Sequence, residues 1–114
     1  MIRSATFASV VRCVEAGRRH VSAHALAEAE ADRLSLQEIE AATCAGECIE
    51  DSPDDPRGPS CLVLGWAGSR AVHTVWGHDG PSRRAILITV YLPDPQRWSH
   101  DLRKRRSRDV GDAD

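Results

Sequence analysis

The stretch "CLVLGWAGSRAVHTVW", residues 61–76, decides the fold. Two runs rich in aliphatic, β-branched and aromatic side chains flank Gly68 and Ser69, and a two-residue connection of this kind joins antiparallel neighbours. Residues 61–67 and 70–77 are therefore expected to form a hairpin. "AILITVYL" repeats the composition and predicts a strand over about 84–91, ended by Pro93 and Pro95, which offer a ladder no amide donor. Upstream, "ECIED" predicts a shorter strand over 47–51. It is separated from the hairpin by "SPDDPRGPS", whose three prolines and one glycine require a loop.

Working outward to the N-terminal side, the apolar period changes from strand to helix. Phe7, Val10, Val11 and Val14 recur at helical spacing after Ser4, and Gly17 follows them, which predicts a helix over about 4–16. "RRHVS" reads as an extended or loop link. Ser22 then caps "AHALAEAEAD". Ser35 and Glu38 make an S-x-x-E capping box between Leu34 and Ile39, and the helix it starts should run over 36–44 and stop at Gly46 in a left-handed conformation. Helices first and strands after, with hairpin-length links, give an α+β domain: two or three N-terminal helices on one antiparallel sheet of about four strands. With 114 residues there is room for one core. The domain is expected over 1–106, with a polar, disordered tail over 107–114.

The net charge of −2 conceals an asymmetry. Residues 28–55 hold ten acids against the single base Arg33, whereas residues 56–108 hold ten bases against three acids. The cluster in "RWSHDLRKRRSR", including Arg103 and Arg105, suits either a solvated tail or a phosphate-binding patch. No apolar run approaches the roughly 18 residues of a membrane span. Arg3, Arg12 and Glu15 interrupt the segment where a signal peptide needs continuous apolarity, so a cytoplasmic location is expected. In that compartment Cys13, Cys44, Cys48 and Cys61 are expected as free thiols. "CAGEC" has the spacing of half a zinc site but lacks an evident second half, so no metal ligands are assigned. Nor is there a glycine-rich phosphate cradle, a G-x-S-x-G elbow or an H-E-x-x-H pair, and neither a cofactor nor a nucleotide is expected.

Alternation in "AVHTVW" puts His73 on one face with Ala71 and Val75, and Val72 and Trp76 on the other. If Val72 and Trp76 enter the core, His73 lies on the open face of the sheet. The same rule groups Tyr91 with Leu87 and Thr89, opposite Ile86, Ile88 and Val90. A small site formed by His73 and Tyr91 on neighbouring strands is expected, with Arg70, Arg83 and Arg84 near the strand ends. Histidine suits either proton role in metal-free RNA cleavage, and the cations would meet the phosphate. The plain structural readings are a hydrogen-bonded strand histidine and an edge tyrosine. His20, His78 and His100 look incidental.

"SAHA", "LSLQEIEAA", "GECIEDSPDDPRGPSCLVLG", "AVHTVW" and "ITVYLPDPQRW", in this order over about residues 18–103, resemble DUF4258, a family of small bacterial domains. The resemblance implies a compact α+β fold related to RelE and MqsR type toxins, which cut messenger RNA and are often encoded beside an antitoxin. It marks His24, His73 and Tyr91 as characteristic polar positions, expected to converge in one cleft; from their places at strand ends and in the basic cluster, Arg70, Arg83, Arg84, Arg103 and Arg105 are the candidate substrate contacts. RNA and a cognate antitoxin protein are the implied partners. Glu28 and Asp32 stand where the family places arginines. Three readings follow: a metal-independent ribonuclease of the toxin type, a degenerate toxin fold serving as a non-catalytic protein-binding module, and a zinc-dependent protein. The acidic stretch favours the second, since it repels RNA and attracts a basic partner.

Overall fold

The computed structural model describes residues 2–106. The element order is α1 (Ala5–Glu15), β1 (Arg19–Val21), α2 (Ala23–Ala31), α3 (Leu36–Cys44), β2 (Glu47–Ser52), β3 (Ser60–Ala67), β4 (Arg70–Asp79) and β5 (Arg84–Tyr91). The expected tail over 107–114 lies outside the described residues. Each helix starts on a serine whose hydroxyl takes an otherwise unpaired amide: Ser4 from Phe7, Ser22 from Ala25 and Ser35 from Glu38. At α3 the capping box is complete, with the Glu38 carboxylate accepting from the Ser35 amide at 3.0 Å. Gly17 at φ 75° lets the Arg18 amide return to the Cys13 carbonyl and close α1. After α2 the same left-handed position falls to Arg33, at φ 54°.

The sheet has five strands in the order β1-β5-β4-β3-β2 and is mixed, not wholly antiparallel. β2, β3, β4 and β5 pair antiparallel, as their short links require, and Ala67 faces Arg70 across the turn at Gly68. The "RRHVS" link is the difference: it supplies the edge strand β1, which runs parallel to β5 with Arg19 opposite Ala85. Three residues carry too little period to announce a strand. They pair because β5 would otherwise leave that edge unsatisfied.

The helices cover one face. Val10, Cys13, Val14, Ala25, Ala29 and Ile39 pack against Val63, Val72, Trp76, Leu87 and Val90. The Trp76 indole N–H reaches the hydroxyls of Thr43 and Thr74, each at 3.1 Å, so the polar edge of this buried ring is satisfied. α3 lies so close to β3 that a Cβ on Gly65 would stand 2.2 Å from the Ala42 carbonyl oxygen, and one on Gly46 2.5 Å from that of Leu64. Gly46 therefore does not take the left-handed stop expected of it. It is needed for close approach. Among the described residues, no helix is long and apolar enough to cross a membrane.

Gly65→Ala should lower stability by about 2–3 kcal/mol, since the clash is with backbone that cannot rotate away. Urea unfolding should show a lower midpoint with an unchanged slope. The same substitution at Gly68, which has open space but a positive φ, should cost about 1 kcal/mol.

Candidate functional site

The face of the sheet away from the helices carries its own small apolar cluster: Ile49, Leu62, Leu64 and Trp98, with Ala71, Val75, Tyr91 and Leu102 packed against it. Two β-bulges aim its polar members. In β2 the register shifts at Ile49, so that Glu47 faces Leu64 and Glu50 faces Leu62. Regular alternation would send these two carboxylates to opposite faces, whereas the extra residue puts both on the same one. In β5 Ile88 is the extra residue, since Val75 faces Thr89 and Trp76 faces Leu87. Leu87 and Val90 consequently both enter the helix-side core, and Tyr91 turns to the other face, directly opposite His73. Tyr91 thus does not share a face with Leu87, as unbroken alternation predicts.

His73 does not lie on an open surface. It is 0% exposed, because the segment after β5 crosses over it as a strap. The strap is a small irregular hairpin in which Trp98 bridges to Arg105 and the Ser99 amide bonds the Lys104 carbonyl at 2.7 Å. At its tip Leu102, at φ 65°, aims its carbonyl at His73 Nε2, 2.9 Å away. A carbonyl only accepts, so Nε2 carries the hydrogen. Nδ1 of the neutral ring then accepts from the Tyr91 hydroxyl at 3.3 Å. Trp98 is 4% exposed and sets its ring edge-on to the imidazole, with centroids 4.4 Å apart. Burial pulls the His73 pKa below its ordinary value, against the opposing effects of the Leu102 carbonyl and Glu50. Burial also pushes the Tyr91 hydroxyl up, so it stays a donor at neutral pH.

The expected arginines are distributed differently from a substrate clamp. Arg103 binds Glu47 through two nitrogens at 2.6 and 3.0 Å, and this contact holds the Glu47 carboxyl below its usual range. Arg105 pairs with Glu50 at 2.7 and 3.1 Å and lies over the Trp98 ring, 4.8 Å from its centroid. Arg70 gives its guanidinium to the Asp32 and Arg33 carbonyls at the end of α2, at 2.8 and 3.2 Å. Arg84 starts β5, seven residues from Tyr91 or about 23 Å along a strand, and Arg83 immediately precedes it. The Arg83 carbonyl accepts from Cys13 and Arg18.

The structure brings His73 and Tyr91 into contact, whereas the contact of His24 is with Glu28. His24 is 70% exposed on α2 and pairs with Glu28 at 3.2 Å. Glu28 in turn accepts from the Val90 amide at 3.1 Å and from the Thr89 hydroxyl. Its carboxylate stands in for a strand partner where β1 has ended, so this acid belongs to the edge of the sheet. Trp98, Leu102, Glu47 and Glu50 are the members that sequence reasoning missed. The one signal was Trp98, a large aromatic inside a segment otherwise read as solvated. Cys48 and Cys61 are buried neighbours, and the Cys48 thiol donates to the Glu50 carbonyl at 3.2 Å. Among the described residues, no group of three or more metal-ligating side chains converges.

Residues 21–92 match the family described as a domain of unknown function, DUF4258; this is more than half of the chain, and the chain belongs to that family. No curated protein and no solved structure matches it. The matched residues include His73, Tyr91, Glu47 and Glu50 but end before the strap.

The depressed His73 pKa has a stability consequence with a definite sign. Below about pH 6.5 the unfolded chain protonates this histidine while the folded chain does not, so stability falls with pH from that point down to the lowered folded value and then levels off. Above pH 6.5 the ring is neutral in both states and contributes no slope. Unfolding midpoints measured from pH 7.5 to 4.5 should show the loss, and His73→Leu should flatten it.

Proposed function

We propose that this DUF4258 chain acts as a non-catalytic protein-binding module on a toxin-like fold. The observation that carries the reading is the enclosure of His73: both ring nitrogens are engaged inside the protein and the ring has no exposed surface. A general acid or base must come within about 3 Å of the proton it moves, and an enclosed imidazole reaches no 2′-hydroxyl. Cation placement supports the same reading. Arg70, Arg103 and Arg105 are committed to protein oxygens, and Arg83 and Arg84 lie at the other end of the sheet. A phosphate gaining charge beside His73 would meet Glu47 and Glu50 instead. Membership of the family brings a fold and a set of positions, whereas activity depends on the site.

A second reading keeps the chemistry. His73 and Tyr91 do meet across β4 and β5, and they would form a metal-independent proton-transfer pair for toxin-type cleavage of messenger RNA, with a cognate antitoxin as partner, once the strap leaves. His24 takes no part in this version.

Purified full-length protein incubated with mixed-sequence RNA in a metal chelator should leave the RNA intact, and induced expression should not slow growth. Cleavage that falls at least about a hundredfold in Tyr91→Phe at matched soluble amounts would replace the binding module with the ribonuclease.

A further inference from the structure

The strap is arranged as a ligand is arranged in a groove. The sheet supplies an apolar floor of Ile49, Leu62 and Leu64, a buried imidazole N–H and two acids on one rim. The strap supplies the complement: an aromatic anchor, a carbonyl acceptor and two arginines. None of its hydrogen bonds to the floor comes from a continuous ladder, so it contributes no strand to the sheet. It is joined to β5 only through the Pro93–Pro95 link.

Two further observations point to an occupant other than the strap. The tip of the strap depends on a non-glycine residue in the left-handed region, Leu102, which makes the closed form a conformation with a built-in cost. The groove also continues past the cover. Trp66 pairs with Ala71 on the same face and is 57% exposed, so a large aromatic extends the apolar floor into solvent. A contact of this size left open beside a filled groove suits a longer partner than the strap itself.

We propose that this face is a docking groove for a basic peptide segment of a partner protein, one that carries an aromatic anchor followed by two arginines, and that the strap is an internal occupant which this segment displaces. The inference rests on the binding-module reading and gives it a place and a partner chemistry. Charge selects the partner: Glu47 and Glu50 favour guanidinium groups and disfavour phosphates once Arg103 and Arg105 have left. The tethered strap competes at high effective concentration, so the closed form predominates until the partner accumulates or binds more surface, as contact with Trp66 would allow.

The test uses the full chain and a labelled synthetic peptide of the strap sequence, "PQRWSHDLRKRR" (residues 95–106). The double substitution Arg103→Glu with Arg105→Glu sets like charges against Glu47 and Glu50 and should free the groove. Trp98→Ala is a second route to the same state. By fluorescence anisotropy either variant should bind the peptide at least about tenfold more tightly than the wild type, whose own strap competes. Binding should be lost when the tryptophan of the peptide is replaced by alanine. Variants that keep cooperative unfolding yet bind no more tightly than wild type overturn the inference. So does a stable dimer by exchanged straps that excess peptide cannot dissociate, because the groove would then belong to a second copy. If strap release brings RNA cleavage while peptide binding persists, the non-catalytic reading fails and the docking inference stands. If RNA stays intact and no peptide binds, the inference fails alone.

Discussion

A neutral imidazole in the middle of an apolar sheet face constrains everything built on that face. His73 cannot be covered by hydrocarbon alone, because a buried N–H left without an acceptor costs roughly 1–3 kcal/mol. Whatever closes over it must bring an oxygen to one point. Leu102 does so by taking a left-handed backbone, and the hydroxyl of Tyr91 completes the ring on its other side. The strap follows from this requirement. Trp98 fills the remaining space beside the imidazole, and Arg105 lies over the tryptophan while reaching Glu50. Burial of the Trp98 side chain, at about 3 kcal/mol, outweighs the ion pairs, which are exposed and individually weak.

Those ion pairs nevertheless explain the charge pattern of the chain. The acidic middle and the basic second half are partners within one molecule: Glu47 meets Arg103 and Glu50 meets Arg105, while Asp55 and Arg57 settle their charges locally in the proline-rich loop. Glu40 pairs with Arg19 of β1. Arg103 and Arg105, two members of the basic cluster, thereby make contacts that fix register and direction for the segment crossing the sheet. Exposed charges contribute more to such selectivity than to stability.

α2 shows the same economy on a smaller scale. Nine alanine-rich residues bury only Ala25 and Ala29, too little apolar surface to anchor a helix by packing. Its position comes from hydrogen bonds to β5. Ser22 binds the Leu87 and Ile88 carbonyls, and Glu28 takes the Val90 amide, so the helix guards the strand edge that β1 is too short to cover. Glu28 and His24 are therefore read first as edge protection.

The sequence by itself determined the α+β class, the three helices and the strands β2 to β5 to within a residue or two. Serine caps, the capping box, Gly68 and the prolines act within a few residues of where they stand, and apolar period is a local signal. It also named His73 and Tyr91 as a pair. Only the tertiary structure decided the parallel edge strand, the two bulges and the closed second face. β1 exists because a distant strand needs a partner, and three residues hold no period to reveal it. A bulge depends on which residues of two strands come into register, so alternation read along one strand misplaced Ile86 and Leu87 and did not anticipate Glu47 and Glu50 on one side. The burial of His73 was invisible for the same reason: its cover arrives from Trp98 and Leu102, more than twenty residues later, by contacts that depend on three-dimensional proximity alone.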